Sequence, residues 1–98
     1  MRTYFVYILK CSDNTYYTGI TSNLIERFES HQNGKHRNSY TYSRRPLQLV
    51  YHCEFTDPNK AILTEKQIKK WSKNKKQALI AGEFDKLPNL SKKNFEGN

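Results

Sequence analysis

Arg27 and His31 are separated by four positions in the segment Asn23 to Gln32, the spacing that puts two side chains on one face of a helix. With Leu24 one turn earlier on the same side, the pair can reach one anionic ligand together. The plainer account is a solvated arginine beside a histidine that favours the C-terminal end of a helix dipole. Glu65 stands four residues after Ala61 and three before Ile68, in the gap of an apolar stripe formed by Ala61, Ile68 and Trp71, while Lys66, Lys69 and Lys70 point further outward. A carboxylate there is either paired, with Lys69 one turn on, or functional. Tyr7 and Tyr17 fall in two runs that read as adjacent strands about 5 Å apart, so two phenols can share one end of a sheet, with core packing as the plainer account. Gly19 leaves room for a close backbone approach or marks a bulge.

A second kind of signal lies between Lys35 and Arg45. Lys35, His36, Arg37, Tyr40, Tyr42, Arg44 and Arg45 interleave cations with aromatics, the combination that grips phosphates and stacks on bases. A basic loop that is merely solvated is the alternative. Lys66, Lys69, Lys70, Lys73, Lys75 and Lys76 make another basic zone, whose density fits a solvated face better than base reading. His31 and His36 are not spaced as two ligands on one element, and Cys11 and Cys53 lie far apart with no CxxC, so the sequence suggests neither zinc nor a disulfide framework. Both thiols are expected to be reduced.

The elements that must position these residues follow from local pattern. Tyr4 to Leu9 is apolar on both faces, as a central strand covered by layers on either side would be. Ser12-Asp13-Asn14 supplies a turn, and Thr15 to Ile20 is again strand-like, completing a β-hairpin. Thr21 and Ser22 offer caps for a helix from about Asn23 to Gln32, with Leu24, Ile25 and Phe28 apolar and Asn33-Gly34 as its stop. Lys35 to Arg45 lacks a helical period and reads as a loop closed by Pro46. Leu47 to Phe55 alternates, placing Leu47, Leu49, Tyr51, Cys53 and Phe55 on one face of a third strand. Asp57-Pro58 opens a second helix whose stripe packs on the sheet, its upper end widened by Ile62 and Leu63. Asn74 can cap a short third helix through Ala78 to Ala81, stopped by Gly82. The order β-β-α-β-α-α is that of an α+β domain with a three-stranded antiparallel sheet flanked by helices. It is expected over residues 1–82, with 83–98 as a partly disordered C-terminal tail.

At 98 residues and 11.6 kDa there is room for one domain, able to bury roughly 60 to 70% of its unfolded surface in a two-layer core. Aromatics at 13% exclude an intrinsically disordered chain. Seventeen Lys and Arg against nine Asp and Glu give a net charge of +8, which favours a polyanionic partner. The longest apolar run, six residues from Tyr4 to Leu9, is far short of the roughly 20 that a membrane span needs. No charged leader with a long apolar stretch is visible, so a cytoplasmic protein without membrane association is expected.

Taken in order, Phe5-Val6-Tyr7, Tyr17-Thr18-Gly19, Glu26-Arg27-x3-His31 and Ala61-x3-Glu65-x2-Ile68-Lys69 resemble the GIY-YIG nuclease superfamily, over about Thr3 to Ala81. The likeness is greatest to its small single-domain bacterial members. The resemblance implies an endonuclease that hydrolyses phosphodiester bonds in DNA or structured nucleic acid with one divalent metal, Mg²⁺ or Mn²⁺. By the same resemblance Tyr7 accepts a proton from the attacking water, and Tyr17 orients it. Arg27 stabilises charge on phosphate, His31 assists proton transfer or phosphate binding, and Glu65 holds the metal. Lys35, Arg37, Tyr40, Tyr42, Arg44 and Arg45 then form the nucleic-acid-binding stretch. Positioned cations suit a phosphodiester that gains charge in its transition state, and magnesium needs only one or two carboxylates. Since a phenol titrates near 10, Tyr7 is expected to need positive charge close by, from Arg27 and the metal. The name-giving motifs keep here only the two tyrosines and Gly19, and the asparagine that many members carry downstream of the glutamate has no aligned match, although Asn74 lies nearby. Larger members add DNA-binding domains, so for this chain slight sequence specificity is expected, with target choice left to a targeting protein. A non-catalytic nucleic-acid-binding module with the same fold is the alternative.

Overall fold

A computed structural model describes residues 2–83. Its elements run β1 (Tyr4–Lys10), β2 (Tyr16–Thr21), α1 (Leu24–Gln32), a single 3₁₀ turn (Tyr42–Arg44), β3 (Gln48–Phe55), α2 (Pro58–Lys69) and α3 (Lys73–Ala81). The sheet is antiparallel in the order β2-β1-β3, so the doubly apolar β1 is central, as its sequence implies. Val6 and Ile8 turn to one side, where Ala61, Ile68, Ala78 and Leu79 of α2 and α3 cover them. Tyr7 and Leu9 turn to the other, against Leu24 and Phe28 of α1 together with Tyr17, Cys11 and Leu47. Both cysteines are free thiols.

Four local expectations are corrected. The alternation from Leu47 to Phe55 does not describe one face. Ile8 pairs with Tyr51 but Leu9 pairs with Leu49, so Val50 is extra. One extra residue moves everything beyond it to the opposite face, which puts Leu47 and Leu49 with α1 and Tyr51, Cys53 and Phe55 with α2 and α3. The cap of α1 is Asn23, whose side chain accepts from the Glu26 N–H at 3.1 Å, while Thr21 Oγ1 accepts from the N–H of Asn23. Ser72 caps α3, so Asn74 lies inside its first turn. Ile25, Ile62 and Leu63 face solvent instead of widening the apolar faces, whereas Thr64, which with Glu65 fills the polar gap in the α2 stripe, is buried. Asp57 does cap α2 with proline at its start, and Gly82 ends α3 in the left-handed conformation. The tail expected from residue 83 lies, beyond Glu83, outside the described residues.

Candidate active site

Tyr7 sits in the middle of β1, paired with Gly19 on one side and His52 on the other. Its ring leans across β2, and the missing side chain at Gly19 is what admits it. A Cβ there would lie 2.5 Å from Tyr7 Cζ. The space at Gly19 therefore serves a side chain of the neighbouring strand, with no register shift in this pairing. Tyr17, two residues earlier on the same face of β2, brings its ring to 6.3 Å from that of Tyr7 between centroids.

The last turn of α1 delivers His31 to the same place. Its Nε2 is 3.2 Å from the Tyr7 hydroxyl, its ring centroid is 5.2 Å from that of Tyr17, and its Nδ1 is 2.9 Å from Thr41 Oγ1. Both ring nitrogens thus have a partner, and the ring is buried. Arg27, one turn earlier, is half-buried. Its charge acts on both Tyr7 and His31, and among the described residues its guanidinium makes no hydrogen bond or ion pair. It lines a cleft of ≈ 450 Å³ with Lys35, His36, Ser30, Glu26 and the turn before α1.

Glu65 comes from α2, which packs on the sheet face opposite α1. Its side chain is only 12% exposed and ion-pairs with Lys69 at 3.4 Å. Lys69 in turn lines a second cleft with Tyr16, Tyr17, Tyr40 and Lys76, which joins this ion pair to the tyrosine side of the site. The carboxylate is near enough for its charge to act on Tyr7. Tyr7, Tyr17 and His31 meet directly, whereas Arg27 and Glu65 reach Tyr7 through their charges, Glu65 from the helix on the opposite face of the sheet.

The electrostatics differ from the expectation in one respect. Arg27 does favour the Tyr7 phenolate, but burial first and the neighbouring Tyr17 second outweigh it, and Glu65 adds to them, so the Tyr7 hydroxyl is held well above the ordinary range of a phenol. His31 moves the opposite way. Burial, then the positive charges of His36 and Arg27, push it down to about 4. At neutral pH the pair is a protonated phenol against a neutral imidazole.

The basic, aromatic stretch divides in two. Lys35 and Arg37 are exposed, and their side chains have no partner among the described residues. Arg44 donates from Nε to Asp13 at 3.0 Å and from Nη1 to the Tyr40 carbonyl at 2.7 Å, with its guanidinium 3.8 Å over the Tyr40 ring. Arg45 donates to the Tyr42 carbonyl at 2.8 Å and lies over the Tyr42 ring. These two arginines shape the loop, and through it Tyr40, whose ring stacks on Tyr17 at 6.4 Å. Sequence reasoning missed Thr41, which is buried and bonds the far side of His31. It missed Gln32 as well, whose side chain clamps both backbone groups of Leu47 and fixes where the loop rejoins the sheet. Neither carries a motif; only the tertiary contact marks them.

Residues 3–78 match the family model of the GIY-YIG catalytic domain. The chain belongs to that family. Relatives within it carry names that state no activity: a UPF0213 protein of Syntrophus aciditrophicus is 48% identical over 81 residues, covering 82% of this chain and 92% of its own, and one of Clostridium perfringens is 42% identical over 88 residues, covering 90% and 94%. The solution structure of a UPF0213 protein from Bacillus halodurans is similar with a TM-score of 0.55 and 33% identity, covering 92% of this chain and 95% of that one. A second solution structure, of a protein from E. faecalis, shares the fold with a TM-score of 0.60 at 21% identity. Membership in the GIY-YIG family makes a nuclease type of domain the frame for the site. The observed β-β-α-β-α-α order and three-stranded antiparallel sheet agree with it. No helix among the described residues is long and apolar enough to cross a membrane.

As a metal ligand Glu65 has to be judged by its own chemistry. No cluster of three or more His, Cys, Asp or Glu residues exists among the described residues, so a site built wholly from protein ligands is absent there. A lone, largely buried carboxylate suits magnesium or manganese, which keep waters and take further oxygens from a phosphate. The cation now beside it, Lys69, is 59% exposed and held by one long contact, so it is displaced at little cost. Glu65 therefore fits the group.

Proposed function

We propose that this chain is a divalent-metal-dependent endonuclease that hydrolyses phosphodiester bonds in DNA or structured nucleic acid. The observation that carries the reading is the hydrogen-bonded pair of a protonated phenol and a neutral imidazole, Tyr7 and His31, with the charge of Arg27 acting on both and that of Glu65 on Tyr7. A core tyrosine has no need of an arginine that, among the described residues, has no partner, nor of a nearly buried carboxylate whose charge acts on it.

Arg27 binds a non-bridging phosphate oxygen in the cleft it lines and stabilises the charge that grows there as water attacks phosphorus. The attacking water gives a proton to the Tyr7 oxygen as the Tyr7 proton passes to His31 Nε2. A new P–O bond forms and the ester P–O bond breaks. Because Tyr7 is hard to ionise and His31 hard to protonate, neither acts alone; proton transfer through both lets water lose a proton without a standing phenolate. Tyr17, at the edge of His31, shapes the place where that water sits. Glu65 would hold Mg²⁺ or Mn²⁺, which supplies a Lewis acid for the phosphate and a more acidic water. Lys35, at the wall of that cleft, and Arg37 beyond it track the backbone.

The test is incubation of the purified protein with branched, nicked and linear substrates, with and without Mg²⁺ or Mn²⁺. Metal-dependent cleavage of at least one is expected. Binding of all with cleavage of none would replace the enzyme with a nucleic-acid-binding module.

A further inference from the structure

The proton that Tyr7 hands to His31 has to leave, and among the described residues a hydrogen-bonded exit is in place. Nε2 is occupied by Tyr7, Nδ1 lies 2.9 Å from Thr41 Oγ1, and the ring is 3% exposed, so solvent has no direct access to it. Thr41 is 1% exposed, and its hydroxyl lies 3.0 Å from Ser39 Oγ. Ser39 is half-exposed, and its hydroxyl is held in place by the N–H of Thr41 at 3.3 Å. From Tyr7 to Ser39 there is an unbroken line of four groups, three of them buried and the last at the surface of the loop. We propose that Thr41 and Ser39 carry the proton of Tyr7, by way of His31, out to solvent during phosphodiester hydrolysis, an inference that rests on the nuclease reading.

The balance is explicit. In the resting direction Tyr7 donates to Nε2, Nδ1–H donates to Thr41 Oγ1, and Thr41 donates to Ser39. When water attacks, the Tyr7 O–H bond breaks and an Nε2–H bond forms; the Nδ1–H proton moves to Thr41, the Thr41 proton to Ser39, and the Ser39 proton to bulk water. His31 ends neutral in its other tautomer. Protonation of the leaving oxygen through Tyr7 runs the line backwards, drawing one proton in from solvent and restoring the start. His31 need never hold two protons, which matters because everything around it disfavours that. Arg27 on its own helix and His36 in the loop, 5.3 Å away between ring centroids, repel an imidazolium, while Tyr7 on β1, Tyr17 on β2 and Thr41 present it with only neutral groups. In this role Thr41 is a positioning residue that also passes on a proton.

The experiment compares Thr41→Val, which keeps the shape and removes the hydroxyl, with Thr41→Ser, which keeps the hydroxyl, in the wild-type chain with Mg²⁺. Thr41→Val should cut cleavage by about 10- to 100-fold at neutral pH with nucleic-acid binding retained, and Thr41→Ser should stay within about 3-fold of wild type. The second readout is the dependence of the cleavage rate on the fraction of heavy water. It should be bowed in the wild type and in Thr41→Ser, as several protons moving together require, and straight in Thr41→Val. Equal rates for the two variants would overturn the proposal, as would a slower Thr41→Val whose solvent-isotope curve matches wild type, since a purely structural role predicts that. A straight curve in the wild type would overturn it without any variant, even if Thr41→Val does not fold. A wild type silent on every substrate ends the nuclease reading and the relay with it, whereas an active wild type with equal variants ends the relay alone.

Discussion

Gly19→Ala places the smallest possible perturbation under the proposed catalytic tyrosine. Gly19 has no positive φ, so alanine strains no backbone there, and the whole effect comes from contact. The added Cβ would sit 2.5 Å from Tyr7 Cζ, against the 3.4 Å at which ordinary contact begins, so the ring must withdraw by about 0.9 Å. The hydroxyl has less latitude than that. It is 3.2 Å from His31 Nε2, and a hydrogen bond between them is lost within a few tenths of an ångström of further separation. Overpacking of this kind costs about 1 to 3 kcal/mol, partly offset by about 0.4 to 1 kcal/mol from the stiffer unfolded chain. A net loss of about 1 to 2 kcal/mol should lower the melting temperature by roughly 4 to 16 °C in a domain of this size. Cleavage should fall much further than stability, by on the order of 10² to 10³, because the proton acceptor is displaced from its partner. Calorimetry on the wild type, Gly19→Ala, Tyr7→Ala and the double variant closes a thermodynamic cycle, in which Gly19→Ala should be neutral or slightly stabilising once the ring is gone. If Gly19→Ala costs as much in the Tyr7→Ala background as in the wild type, the collision is not with Tyr7, and the packing argument for Gly19 fails.

Arg27→Ala and Glu65→Ala should each lower metal-dependent cleavage by on the order of 10² to 10³ while binding, measured on the same folded variants, changes several-fold at most, and equal losses in both assays would contradict this. Binding should weaken steeply with salt, and Lys35→Ala and Arg37→Ala should each lower the salt slope by about one, whereas a flat titration would remove the electrostatic account. Arg45→Ala should instead destabilise the loop by about 1 kcal/mol through the lost bond to the Tyr42 carbonyl, seen as a lower unfolding free energy with an unchanged salt slope. With His31 held at about 4 against an ordinary 6.5, the unfolded chain takes up a proton there that the folded chain refuses. The stability this confers is complete above about pH 6.5, falls as pH drops through the window to about 4, and levels off below it, amounting to up to about 3 kcal/mol. Unfolding free energies of wild type and His31→Gln should converge on acidification across that window, and parallel profiles would refute the assignment.

The parts of this molecule legible in its sequence are those with a local cause. An apolar run on both faces makes β1 central, Asp57-Pro58 starts α2, Gly82 stops α3, and four residues between Arg27 and His31 put them on one side of α1. What escaped has a tertiary cause. The bulge at Val50 is set by pairing with β1, and no residue type in β3 announces it. Thr41 looks like any polar loop residue until the loop folds back over His31. Arg44 and Arg45 read as free cations because their partners, Asp13 and two carbonyls of the same loop, are neutral or distant in sequence. The proton affinity of Tyr7 is set in the same tertiary way. The family resemblance names Arg27 as the charge that lowers it, as it does, but burial, which raises it more, is a property of the folded site.

That burial has a consequence for control of the reaction. It drives Tyr7 and His31 toward their neutral forms from opposite directions, so the resting site holds no phenolate and no imidazolium. Moving a proton from phenol to imidazole without help would create a buried ion pair, which the same environment opposes. In the proposed reaction the transfer would become favourable only when the phenol receives a proton as it gives one up, from a water that is already losing its own as it attacks a bound phosphate. Arg27, without a partner of its own, favours the anionic side of that exchange and is the group a phosphate would occupy. Under the proposed mechanism this arrangement would tie proton transfer to the arrival of substrate, with neutral groups and a buried imidazole rather than by any movement of the fold.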